Sequence, residues 1–293
     1  MHHRPDVDYI YDGSMPGLLT CIFTAYERRQ NPVCITVESG YQLAFGRPAV
    51  EVGTDREKAD RVHRSIKTKL GSESAHDVET VFLCDVPDRE ALIYRYIRYG
   101  LQNGKGFWNH LTQPDVAMVE KLCKRFGAET HAYQEFIRFA ELETGVYYAK
   151  FSPEHLQVPR LMPHFADRFN IHTFMLHDLA HNMAGIYDGE GVRVVTFEAL
   201  ELPELSEEEE GYQQMWVDFY HTIAVEGRIN PKLRQQHLPK KYWRHMTEFI
   251  YQAEQRTPGK KAQHQRKRES GSKALKAVEY PLFQPKLPAK RPE

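Results

Sequence analysis

The most constraining feature of this chain is a change of hydrophobic period near its middle. Between Thr54 and Leu142 apolar residues recur three and four apart, as one buried face of a helix requires. From Gly145 onward the spacing shifts toward two, the period of half-buried strands. Helices followed by strands imply an α+β fold rather than alternating βαβ units. The expected architecture is a helical lobe over about 54–142 and a strand-rich lobe over about 143–252 backed by C-terminal helices. Together they form one domain over 1–256, followed by a basic, disordered tail over 257–293.

Local signals fill in this outline. Val7 to Asp12 is a strand ending in the turn pair Asp12-Gly13. Ser14 caps a helix to about Arg29, and Pro16 is tolerated in its first turn. Val33 to Val37 and Ala49 to Val52 read as strands, and the N-terminal strand can pair with either sheet. Thr54 and Asp88 are the expected caps of two helices, with a third between them over Ser72 to Asp85. Pro114 opens a long helical stretch that Gly127 is expected to interrupt. Gly145 to Phe151, Thr173 to Leu176, Met183 to Tyr187 and Val192 to Phe197 are strands, the last two joined by an Asp188-Gly189 turn. Ser206 caps a helix whose first turn is Glu207 to Glu210, and Pro231 and Pro239 start two more, the second over Lys240 to Gln252.

Composition narrows the class. Apolar residues at 41% and charged residues at 27% allow a sizeable core. The net charge of −1 gives no global pull onto a polyanion, but it is unevenly spread. The chain is strongly basic from Arg256, so the part before it is acidic on balance. Such a tail suits phosphate or an acidic surface, and also simple solvation. Cys21, Cys34, Cys84 and Cys123 form no CxxC pair and read as buried free thiols. No apolar run is long enough to span a bilayer and no signal-peptide core is present, so a cytoplasmic protein without membrane contact is expected.

Three constellations are candidates for chemistry. On the helix after Asp88, Arg95, Arg98 and Tyr99 lie outside the apolar stripe of Leu92, Ile93, Tyr96 and Ile97. Guanidinium groups and a ring there suit phosphate and a stacked base, though an amphipathic helix with ordinary surface arginines has the same spacing. Lys240, Lys241, Tyr242, Trp243 and Arg244 form a second basic–aromatic group near a helix start. There too the alternative is a core tryptophan among solvated cations. The third group is His164, Asp167, Arg168, His177 and Asp178, the polar cluster for any catalysis. On a helix, His177 and His181 would share a face and a metal, but the flanking residues read as strand then turn. No phosphate-binding glycine loop or nucleophile elbow occurs. No metal or cofactor is expected, and no reaction is specified by the residues alone.

Several segments taken together resemble one family. They are Tyr9 to Ser14 leading into Gly17-Leu18-Leu19; Asp88-Arg89 with Ile97 to Gly100; Phe136 to Phe139; Pro163 to Arg168; His177-Asp178 with Ile186 to Gly189; and Asn230 to Leu233 with Pro239 to Trp243. In that order, from about Val7 to Phe249, the chain is similar to a bacterial DNA-repair family built on an uncharacterised domain. In some relatives that domain is fused to a uracil-DNA glycosylase. In others it stands alone as the companion of a DNA-modification or repair radical-SAM protein. The resemblance implies a DNA-binding accessory factor with DNA and a radical-SAM repair protein as partners. It does not imply glycosylase activity, because no glycosylase portion is present. The alternatives are a His/Asp-dependent or metal-assisted enzyme acting on a base or phosphate, and a protein scaffold that contacts its partner through the acidic helix start.

Overall fold

Strand β1 (Asp6–Tyr11) is the centre of a three-stranded parallel sheet, flanked by β2 (Asn31–Val37) and β3 (Ala49–Glu51). The computed structural model of the protein describes residues 4–42, 44–197, 202–250 and 278–279. The chain divides into two compact units. The first is residues 1–129 with 154–156, and the second is 130–153 with 157–293. The fold is mixed α+β with two sheets, so the expected class holds. No helix among the described residues is long and apolar enough to cross a membrane.

In the first unit, helix α1 (Met15–Glu27) carries the chain from β1 to β2, the crossover that parallel strands need. Ser14 caps it as expected, its hydroxyl accepting from the Gly17 N–H at 3.0 Å. The N-terminal strand thus belongs to a sheet of its own. Helices α2 (Arg56–Lys69), α3 (Ser72–Phe82), α4 (Arg89–Asn103) and the start of α5 (Pro114–Phe136) complete the unit.

Three local expectations are corrected. Asp55, not Thr54, caps α2 and accepts from the Lys58 N–H, while the Thr54 hydroxyl donates to Asp12 at 2.6 Å. Asp88 precedes α4 in a left-handed conformation (φ 57°) and makes no side-chain cap bond. Gly127 does not break α5, because a glycine penalty of ~1 kcal/mol is small beside the burial of Phe126 and Tyr133 on either side of it.

The second unit holds a sheet in the order β4 (Ala140–Glu141), β5 (Tyr147–Phe151), β6 (Phe174–Asp178), β7 (Met183–Tyr187), β8 (Val192–Thr196) and β9 (Val278–Glu279). Strands β5 and β6 are parallel and joined through α6 (Val158–Arg168), whereas β6 to β8 form an antiparallel meander. The carboxylate of Asp178 accepts from the N–H groups of Ala180 and His181 and so shapes the turn after β6. Asp188 does the same for Glu190 and Gly191 at the predicted β7–β8 turn. Helix α6 packs its Leu161, Met162 and Phe165 against the sheet, where Gly185 leaves room for Met162 and Val158. Helices α7 (Glu207–Thr222), α8 (Pro231–His237) and α9 (Lys240–Trp243) follow. Ser206 caps α7 as expected, by accepting from the Glu209 N–H. The tail after residue 250 lies outside the described residues, apart from the backbone of β9.

Candidate nucleic-acid interface

Strand parity divides the second sheet into two chemically different faces. Register partners share a face, so Tyr147, Ala149, Phe151, Phe174, Leu176, Gly185 and Tyr187 all point toward α6. The opposite face carries Tyr148 and Lys150 from β5, Met175 and His177 from β6, Ile186 from β7 and Arg193 from β8. Among the described residues of β4 to β8, no carboxylate lies on this second face.

Its polar groups are organised around two imidazoles. The Nδ1 of His177 is 2.7 Å from the Tyr148 hydroxyl, and its ring meets Phe197 edge-on at 5.0 Å. Beyond the end of β5, the Ser152 hydroxyl is 3.0 Å from Nε2 of His245, two residues past α9. Burial pushes the His245 pKa down to about 4, and the charges of Arg244 and Lys150 push the same way. His177 is also lowered, by burial first; Asp178 opposes this and Lys150 reinforces it. Lys150, cross-strand partner of His177, therefore acts on both rings. Lys150 on β5, two residues before Ser152, and Arg244, next to His245, flank the Ser152–His245 contact along the chain. Both are solvent-exposed.

Ser152 and His245 make a weak nucleophile–base pair. A general base works best with a pKa near the working pH, and His245 is too acidic for that. Among the described residues its buried Nδ1 has no hydrogen-bond partner, and no third group there orients the ring as in a hydrolytic triad. The arrangement suits binding of an anion better than transfer of a proton. One consequence is measurable. Below pH ~6.5 an unfolded chain takes up the proton that folded His245 refuses. Stability should therefore fall as pH drops from ~6.5 to about 4 and level off below. Denaturant melts of His245→Gln should show a shallower fall over that range; an unchanged slope would locate the effect elsewhere.

The residues singled out in the sequence fall into separate groups. In the first unit, Arg95 is exposed but paired with Asp115 at 2.8 Å, and Arg98 donates to Asn31 at 2.9 Å. The Tyr99 hydroxyl is 3.0 Å from His110 Nδ1 and its ring packs near Phe107. In the second unit, Lys240, Lys241 and Arg244 are exposed on and beside α9. The expectation for Tyr242 is corrected: its ring is buried at 6% exposure against Tyr133 and Phe136, and no base reaches it. Burying an aromatic body outweighs presenting it when neighbouring rings complete a core. Trp243 is half-buried, stacked on Phe249 at 4.4 Å, and donates to the Leu238 carbonyl.

The His/Asp set is not one cluster. His164, Asp167 and Arg168 lie on α6, where burial and then Arg168 lower the His164 pKa against Asp167. His177 and Asp178 are adjacent on a strand, so their side chains leave opposite faces, and Asp178 instead holds His181 Nδ1 at 2.6 Å. Among the described residues no three His, Cys, Asp or Glu side chains are grouped as metal ligands would be.

Sequence reasoning missed Lys150, Ser152 and His245 as site residues. Alternation along β5 places Tyr148, Lys150 and Ser152 on one side, a faint signal, but nothing local links them to a histidine 93 residues later. The model of a family described as a domain of unknown function, DUF4130, matches residues 87–248. All the polar groups around Lys150 lie within that stretch, and the β1–β3 sheet lies outside it. No curated protein matches the chain.

Proposed function

Starting from a chain that belongs to the DUF4130 family, we propose that it is a nucleic-acid-binding protein of DNA repair, an accessory factor to a radical-SAM or glycosylase-type repair enzyme. Lys150, Arg244 and the α9 lysines hold the sugar-phosphate backbone, while the buried imidazole of His177 and the half-buried one of His245 support that surface from beneath through Tyr148 and Ser152. The observation that carries the reading is the 3.0 Å contact between Ser152 and His245, which brings their sequence neighbours Lys150 and Arg244, both exposed, into one region. From residue 227 to 247 the chain has six Lys or Arg and no Asp or Glu, which extends the same sign of charge. Phosphate contacts of this kind position a strand and do not read its sequence. The repair context and the enzyme partner come from the family resemblance in the sequence. In the first unit, Arg95 and Arg98 already have partners in Asp115 and Asn31.

The test is a salt titration of oligonucleotide binding by fluorescence anisotropy. Each phosphate contact contributes ~0.7 on a single strand and ~0.9 on a duplex to the slope of log affinity against log salt. Lys150→Ala with Arg244→Ala should lower the slope by ~1.5, and Lys240→Ala with Lys241→Ala by a similar amount. Unchanged affinity and slope in both double variants would overturn the assignment.

A further inference from the structure

Helix α7 exposes its apolar stripe. Tyr212, Met215, Phe219 and Ile223 are 55%, 58%, 53% and 57% exposed, and Trp216 is 39% exposed. These positions recur at i, i+3, i+4, i+7 and i+11, which places them on one side of the helix. The helix docks on its own unit by a different side, where Glu209 and Val217 are buried. Past its C-terminus the apolar surface continues into a hollow lined by Val225, Ile229 and Leu233.

We propose that this stripe is the interface of a two-fold homodimer in which α7 pairs antiparallel with α7 of a second copy. Area is the first argument. At about half of the 150–250 Å² an aromatic side chain buries, Tyr212, Trp216 and Phe219 alone supply ~300 Å² per copy. With about 100 Å² each from Met215 and Ile223, the apolar patch reaches ~500 Å² per copy, at the upper end for a monomer, and a polar rim would bring it toward the ~800 Å² per partner of a stable interface.

Charge selects both the occupant and the orientation. The helix begins with Glu207 to Glu210, and between 207 and 222 there is no Lys or Arg. An anionic membrane surface is therefore disfavoured. A parallel pair would set four glutamates against four glutamates. An antiparallel pair with Trp216 opposite Phe219 sets Tyr212 opposite Ile223 and carries the acidic start of each helix toward the end of its partner, beyond which the chain turns basic from Arg228. Each contact occurs twice, as an isologous interface requires. The sequence is thus complementary to itself about a two-fold between Trp216 and Phe219, with hydrophobic contacts at the centre and opposite charges at both ends.

Sedimentation velocity of the full chain over a dilution series tests this. The protein should sediment as a dimer, and Phe219→Glu should weaken dimerisation by ~100-fold or more, since it alters the centre of the interface twice. Phe219 is exposed, so the variant should retain its circular dichroism; Ile223→Glu is the second variant should it not. Glu207→Arg should weaken the dimer by ~3- to 10-fold, and adding Arg228→Glu should restore it. A monomer at every concentration overturns the proposal. So does a dimer indifferent to both apolar variants, or a dimer whose charge reversal is not rescued.

Discussion

Replacing Arg138 with alanine is expected to destabilise the second unit by ~3–5 kcal/mol, the cost of stranding a buried charge. Glu248 is 2% exposed and accepts from Arg138 Nη2 at 2.9 Å and from the Trp216 indole N–H at 3.1 Å. The guanidinium also lies over the Trp216 ring at 5.5 Å and donates to two backbone carbonyls of its own segment. Without it, one carboxylate oxygen keeps a neutral donor and the other has none among the described residues. Water cannot compensate inside the packed unit, and the folded state loses most of what the pair contributed. The converse change should be mild. Arg138→Ala combined with Glu248→Leu removes both charges, and an apolar pair in that position should recover much of the loss. Urea denaturation of the three proteins measures this. A loss below ~1 kcal/mol in Arg138→Ala would mean that the pair behaves as an exposed ion pair, contrary to its burial.

Gly185→Val should cost ~2–3 kcal/mol through overpacking. A Cβ at position 185 would collide with Met162 and approach Val158 Cγ1 at 2.8 Å, both on the buried side of α6. Met162 can bend away, but Val158 has a single stiff torsion near the start of the helix, so α6 itself must move. That movement would travel through the sheet, because Gly185 on β7 faces Leu176 on β6. The variant therefore couples two readouts. Thermal melting should shift downward, and oligonucleotide affinity should fall less than in the Lys150 and Arg244 variants, because the opposite face keeps its cations. An unchanged melting temperature would contradict the close approach of helix and sheet.

These expectations rest on relations that differ in how far along the chain they reach. The helices between Thr54 and Phe136 were readable because an apolar stripe repeats within a few residues of itself. Gly127 shows the limit of a single-residue rule. The strands after Gly145 and the Asp188 turn were readable for the same local reason. The serines at 14 and 206 were legible as caps because a side chain meets a backbone N–H three residues on. Thr54 and Asp88 were misread because the rule supplies a candidate oxygen but not its actual partner. Thr54 finds Asp12, 42 residues earlier, instead of the helix.

The candidate site was legible only in pieces. Lys240, Lys241 and Arg244 stood out as a run of like charge, while the ring among them, Tyr242, proved to be core. Lys150 and Ser152 were ordinary residues until β5 was seen to bring them beside His245. The apolar residues of α7 recur at helical spacing, and only packing reveals that another side of the helix is buried. By itself the sequence determined which stretches coil and which extend, where the Asp188 turn falls, and the caps at Ser14 and Ser206, because those depend on neighbours a turn or two away. The tertiary structure alone decided strand order, the pairing of Arg138 with Glu248 across 110 residues, and the approach of Ser152, with Lys150 two residues before it, to His245. Such contacts are worth forming only after the intervening chain has been ordered, and no local rule carries that entropy.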